Sequence, residues 1–439
     1  MDLLIFLEKK TSRTNYVFNH IFKHILGLNL SFTTEFDVFI QYDGPKIEYS
    51  QKKQSNTLFF HASDLLFEDN IYKQDLEVST YKNIKVFFLS SDSDSCLPFD
   101  PFAATFYMLT RYEEYLDVTK DKFGRFPAHE SLSYKHDFLN IPVVDYWIIF
   151  IKEKLKLEFP NLIFKKHSFQ FYNTIDVDNA FAYLEKGVLR NWASFIKDIL
   201  QFRWKNIQNK IKVLCLGYKD PYDNYDELLR INTKYNLSTL FFFLLSEYGR
   251  YDATISFSSR KLQNTIQHIS TFCDIGVHAS FQSIKYPKKI TSEITKLSNF
   301  LSKKITFSRQ HYIVLNIPKN YQNLIKNNIE HDYSMGYPSL PGFRAGTSYN
   351  YYFFDLSINQ STLLLIHPFC VMDVTFLDYM KLNADEALDV IKKNIDEVKK
   401  VNGNFISIWH NESLDYLGRW KGWDSVYEDM VKYALDEVS

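Results

Sequence analysis

The chain has 439 residues, enough for two domains or for a barrel-sized domain beside a smaller one. Hydrophobic residues at 46% and charged residues at 23% are ordinary globular proportions and exclude extended disordered or collagen-like organisation. Fifty-one Lys and Arg against 52 Asp and Glu give a net charge of -1, which excludes a global basic field for nucleic acid or anionic lipid while leaving room for a local patch.

Glycine is scarce, 13 residues against 39 Phe, 30 Tyr and 6 Trp, and no Gly-x-Gly pair occurs. Neither a dinucleotide-binding fingerprint nor a P-loop can therefore be built, since both need glycines at fixed offsets. Cys96, Cys215, Cys273 and Cys370 lie far apart without Cys-x-x-Cys spacing, which points to a reducing compartment without a disulfide framework or zinc knuckle. The opening MDLLIFLEKK reads as a first strand and lacks the pattern of a signal peptide. No apolar run approaches the roughly 20 residues that span a bilayer. The expectation is a cytoplasmic protein with no membrane span and no nucleic-acid partner.

In chain order, residues 1–160 alternate strand-like runs (FDVFIQYDG, KIEYS, NIKVFFLSS) with helical ones. The clearest helix starts at Asp100-Pro101, an N-cap followed by proline at the first helical position, and is expected to run on to Leu116. A second is expected over Asp145 to Leu157, with a domain boundary near Pro160. Beyond it, strands read at SFQFYNTIDVD, STLFFFLLS, CDIGVHAS, KITFS, STLLLIHPF and FISIWH. These alternate with helices around Ser259–Phe272, Thr291–Lys303, Asn320–Glu330 and Asn383–Val401, the signature of parallel α/β structure. Residues 180–235 read as an insertion after the first of these strands.

Polar residues stand at the ends of several strands. Asp176 and Asp178 close the first, His278 another and His410 the last. The C-terminal strand ends of a parallel barrel converge on one face, and two carboxylates at i and i+2 point to the same side. One can bind a metal while the other moves a proton, as in metal-assisted hydrolysis. The same Asp-x-Asp alone is compatible with a solvated strand end or with a glycosyltransferase holding a metal and a nucleotide-sugar.

Thr-Ile-Asp-Val-Asp (174–178), Gly-Val-His-Ala-Ser (276–280), Arg-Gln-His-Tyr (309–312), Asp-Tyr-Ser-Met (332–335) and Ser-Ile-Trp-His (407–410) together resemble, in order, the motifs of polysaccharide deacetylases of the NodB-homology class. With the Phe-Asp-Pro-Phe-Ala-Ala-Thr stretch beginning at Phe99 and the later Pro-Gly-Phe-Arg-Ala-Gly-Thr, the chain resembles a bacterial subgroup of them with a preceding α/β domain. The resemblance implies a distorted parallel (β/α) barrel over 161–439 behind a smaller α/β domain over 1–160. It further implies a metal-dependent hydrolase that removes N-acetyl groups from an amino-sugar saccharide, a surface-polysaccharide intermediate being one such substrate. On this pattern Asp176 is the general base, Arg309 orients it, and His410 protonates the leaving amine. Asp178 and His278 bind one divalent metal, zinc foremost and cobalt or nickel compatible, and the backbone near Tyr312 helps to stabilise the oxyanion.

Two departures stand out. The family's second metal histidine, four residues after His278, is replaced by Gln282, so His311, in the slot of the motif's proline, becomes the candidate third ligand. Arg344 competes with Arg309 for the orienting role and is otherwise expected to meet a substrate anion, on a loop turned by Gly342 and Gly346. Trp409 and Trp420 are candidates to stack on a sugar ring, His367 reads as a core histidine, Asp373 as a carboxylate behind the site, and Glu113-Glu114 as a solvated pair or partners of Arg111. The Gln282 departure also keeps open a carbohydrate-binding protein that retains the barrel without the chemistry.

Overall fold

The computed structural model describes residues 2–415 and 418–436. The N-terminal part holds a four-stranded parallel sheet of β1 (Leu3–Leu7), β2 (Leu30–Thr33), β3 (Lys46–Ser50) and β4 (Leu58–His61), in the order β2-β1-β3-β4. β1 is buried along its whole length, as a central parallel strand covered on both faces must be. A small hairpin follows, β5 (Ser79–Tyr81) with β6 (Ile84–Val86). The FDVFIQYDG run, expected as a strand, is instead a short helix, Phe36–Gln41. Phe36 and Phe39, three apart, meet Phe6 of β1, and the Lys46 ammonium donates to the carbonyls of Phe39, Ile40 and Tyr42 at the helix end.

The Asp100 helix covers Pro101–Leu109, its cap carboxylate accepting from the amides of Phe102 and Ala103 at 3.0 Å. It stops seven residues short of the expected end because Arg111 takes a left-handed conformation (φ 54°) and a 3-10 turn, Tyr112–Tyr115, follows. The second expected helix spans Val143–Glu158.

The remainder is built on a nine-stranded sheet: β7 (Gln170–Val177), β8 (Ser238–Phe243), β9 (Asp274–Ala279), β10 (Phe307–Gln310), β11 (His331–Asp332), β12 (Tyr351–Asp355), β13 (Gln360–Ile366), β14 (Val371–Met372) and β15 (Asn404–His410). Its order is β12-β13-β11-β10-β9-β8-β7-β15-β14, and every pairing is parallel except β12 with β13. The expected barrel is therefore not closed by hydrogen bonds: among the described residues no pairing joins β12 to β14. The sheet is nonetheless strongly curled. β10 and β7 lie three strand intervals apart, roughly 14 Å in a flat sheet, yet Arg309 of β10 reaches Asp176 of β7 at 2.7 Å. Inward residues Phe242, Tyr333, Met372 and Ile408 fill the hollow this creates.

The expected insertion proves narrower than 180–235. Tyr225–Lys234 is a crossover helix, with Leu228 and Ile231 buried, while Val188–Leu200 and Trp204–Leu216 form a largely exposed helical hairpin. The N-terminal part packs tightly on the curled sheet. Phe106 and Tyr16 meet Phe354 of β12, and Asp145 accepts from Thr347 and Ser348. One apolar core runs through both parts. Gly342, at φ 122°, passes so close to this contact that a Cβ there would lie 2.5 Å from the Leu139 carbonyl oxygen. The glycine loop thus serves the contact between the two parts and does not deliver Arg344 to the cleft.

Candidate metal and catalytic centre

Strand register determines which side chains converge. Asp176 lies opposite His410 across β7 and β15, and His278 opposite Arg309 across β9 and β10, all at the C-terminal ends of parallel strands. Asp178 follows two residues after Asp176, on the same side of the strand, and His311 comes just after β10. Asp178, His278 and His311 bring one ligand atom each to within 4.8 Å of one another. The Asp178 carboxylate is 3.0 Å from His278 Nε2 and 3.3 Å from His311 Nε2. In a tetrahedral site with bonds near 2.05 Å, ligand atoms stand about 3.3 Å apart.

The second ring nitrogens explain why both imidazoles face this point. His278 Nδ1 is held by the Arg309 carbonyl at 3.0 Å and His311 Nδ1 by the Asp252 carboxylate at 2.9 Å. An acceptor at Nδ1 places the proton there and turns the Nε2 lone pair inward, the usual outer support of a metal-binding histidine. Asp252 is itself fixed by the amides of Phe281 and Gln282. Asp178 Oδ1 is buried and has no hydrogen-bond partner, so its proximity to His278 is an approach of lone pairs that a cation would reconcile. Two imidazoles and a carboxylate are the donor set that suits zinc and its transition-metal neighbours.

Around this triplet stand two further pairs. Asp176 accepts from Arg309 Nη1 at 2.7 Å, and that nitrogen also reaches Thr174 Oγ1 at 2.8 Å. The guanidinium is held from behind by the Tyr333 carbonyl and lies over the Phe242 ring. His410 Nδ1 is 2.8 Å from Asp373, whose carboxylate also accepts from the His410 amide and Ser413. His410 Nε2 lies 3.7 Å from Asp178.

Charge balance tunes these groups. Burial disfavours charge on His311, but Asp178 and Asp252 outweigh it and raise its pKa to about 9. Burial is likewise outweighed at His410, where Asp373, Asp178 and Asp176 raise it to about 10. Asp178 moves the opposite way: burial raises it, yet His311 and His278 hold it well below the usual carboxylate range.

The centre opens into a cavity of about 770 Å³. Asp176, Asp178, His278, His311, Tyr312 and His410 line one side, and Asp121, Phe123 and Arg125 of the N-terminal part contribute another wall. Arg125 ties that wall down through Asp121, the Tyr312 carbonyl and Tyr379 Oη.

Three expected substrate contacts are corrected. Arg344 is 1% exposed, paired with Glu114 at 2.6 Å and hydrogen-bonded to the Gly336 carbonyl, so it is consumed by the core. Trp409 points to the opposite face of β15, where its ring meets Trp423 and Tyr427 and its indole N–H meets Met430 sulfur. Trp420 is equally buried. Glu114 is not solvated but shared between Arg111 and Arg344. Gln282 faces away from the centre, toward the Glu247 carbonyl. His367 stacks on Tyr333 and bonds His331, a core histidine. The residue missed from the sequence is Asp252, in the long connection after β8, where no periodicity or motif marks it.

Residues 3–160 match the model of a family of unknown function, DUF7033. No curated protein matches the chain. Among solved structures, a Mycobacterium smegmatis protein assigned to the polysaccharide deacetylases aligns over 62% of this chain and 86% of its own, at 14% identity and TM-score 0.40. The polysaccharide deacetylase Bc1974 of Bacillus cereus aligns over 62% and 89%, at 10% identity and TM-score 0.31. The Bacillus anthracis protein BA3943, described as a CE4-family pseudoenzyme, aligns over 61% of each chain at 10% identity and TM-score 0.28. Likenesses this distant leave any functional argument to the geometry of the site.

Proposed function

We infer that the protein is a metal-dependent amidohydrolase acting on the N-acetyl group of an amino-sugar saccharide. The observation that carries this reading is the convergence of Asp178, His278 and His311 with a clamped Asp176 and a carboxylate-backed His410 around one cavity. A divalent ion held by Asp178, His278 and His311 would polarise a carbonyl oxygen and supply a water nucleophile at neutral pH.

This chain's residues divide the proton work. Asp176, oriented by the Arg309 guanidinium that Thr174 also holds, takes a proton from the attacking water. His410, whose imidazolium form the Asp373 carboxylate favours, gives a proton to the departing nitrogen. The scissile C–N bond breaks, leaving acetate and a free amine. Tyr312 flanks the centre and is positioned to meet the acyl group or the sugar.

The test is acetate release from N-acetylated oligosaccharides by protein loaded with zinc, cobalt or nickel. The reading predicts release that Asp176→Asn lowers about a hundredfold or more. No release from any such substrate by protein shown to carry one ion per chain would overturn it. The alternative of a binding protein without chemistry drew on Gln282. With His311 in the cluster, Gln282 no longer favours that reading.

A further inference from the structure

The first helix of the hairpin 188–216 inverts the usual burial pattern. In the helix Val188–Leu200 only Asp198 is buried, while Val188, Leu189, Trp192, Ile196, Ile199 and Leu200 form one stripe that faces solvent. Leu189 is 86% exposed and Trp192 62%; at the turn, Phe202 is 76% and Trp204 58% exposed. The second helix buries Ile207 and Val213, and its Lys210 reaches Asp198 and Ser194 of the first. The hairpin's root is fixed as well. Asp220 accepts from the amides of Ala182, Tyr183 and Leu184, and Arg190 donates to the carbonyls of Ala253 and Thr254. A rigidly mounted element with its apolar stripe outward exceeds the scattered apolar exposure of an ordinary surface.

Charge identifies what covers it. Residues 186–219 carry eight Lys and Arg against the single acidic Asp198, a net of +7 in a chain whose total is -1. Apolar side chains with two tryptophans on one face, and lysines and arginines beside them, are the composition of a helix that lies in the headgroup region of an anionic bilayer. No helix among the described residues is long and apolar enough to cross a membrane, so the contact is one of lying on the surface. We propose that the hairpin 188–216 docks the protein on anionic lipid bilayers, seating Trp192, Ile196, Phe202 and Trp204 among the acyl chains with Lys197, Arg203, Lys205 and Lys212 at the phosphates. Ala253, which receives Arg190, lines the catalytic cavity, so docking brings the cleft beside the membrane surface. The docking stands on the hairpin alone and is independent of the chemistry in the cleft.

The experiment is flotation of the full-length protein with vesicles of phosphatidylcholine containing phosphatidylglycerol, against vesicles of pure phosphatidylcholine. Binding to the anionic vesicles is expected, weakened by salt, with a blue shift of tryptophan emission that Trp192→Ser with Trp204→Ser removes. Lys205→Glu with Lys212→Glu should lower partitioning about tenfold or more, at about 1 kcal/mol for each basic residue near the surface. Because all four positions are exposed, the melting temperature should stay unchanged in each variant. Failure to float with anionic vesicles would overturn the proposal, as would equal binding to both vesicle types. So would lipid-free self-association in sedimentation equilibrium that Trp192→Ser abolishes, since the stripe would then belong to a second copy.

Discussion

Two buried clusters in this molecule are each built of paired acidic and basic side chains and end in opposite states. Around Arg344, the guanidinium groups of Arg344 and Arg111 share Glu114, Arg111 adds Glu113 and the Tyr337 hydroxyl, and the charges are matched inside the core. Around Asp178, the outer atoms are just as firmly held, by Arg309, Asp252 and Asp373, but the inner ones turn toward one another and toward a cavity. Asp178 Oδ1 is left without a hydrogen bond. A cluster that satisfies itself joins two parts of a fold; one that leaves lone pairs converging on a cavity is prepared for something else.

The sharpest way to break this contrast is within the open cluster. Asp176→Asn should lower acetate release by about a hundredfold or more while leaving metal content and folding intact. His278→Ala or His311→Ala should abolish both metal content and release. In the closed cluster, Arg344→Ala leaves Glu114 Oε2 without its partner in the core, with Arg111 still on Oε1, and should cost about 3 kcal/mol in denaturant unfolding. Activity per folded molecule should survive that change. A large loss of activity without loss of stability would return Arg344 to the substrate.

The clusters should also differ in their response to pH. Without metal, His311 and His410 have folded pKa values of about 9 and 10, above their ordinary 6.5. Their contribution to stability is therefore full below about 6.5 and is lost as the pH rises through 9 and 10. Metal competes with the His311 proton, so zinc affinity measured by competition with a chelator should rise with pH up to about 9. Glu114, which burial raises but Arg344 and Arg111 lower from its ordinary value, stays charged across that window and adds no such slope. The smallest effect belongs to Gln282→Ala, which should leave metal content and acetate release unchanged, since its side chain reaches away from the centre, toward the exposed Glu247 carbonyl.

The sequence made the strands of the curled sheet legible because buried parallel strands read as short apolar runs between turns, and the site residues stand at their ends. Chain order favours Arg309 over Arg344 for the orienting role but leaves Arg344 a competitor. Only the curl of the sheet, which carries Arg309 across three strands, separates them. Asp252 was out of reach for a related reason: a loop carboxylate has no period, and its role depends on His311 arriving from another strand. Trp409 misled because a strand alternates faces, and a tryptophan next to His410 must point away from it. The apolar residues of FDVFIQYDG fit a strand period as well as a helical one, and the packing of Phe39 on Phe6 decides for the helix.

The central claim is that Asp178, His278 and His311 form one metal centre. An anomalous difference map from zinc-loaded crystals, recorded at the zinc edge, tests it most directly. A single peak within bonding distance of Asp178 and the two Nε2 atoms is the predicted result. A peak elsewhere, or none in crystals whose protein binds zinc stoichiometrically in solution, would contradict it.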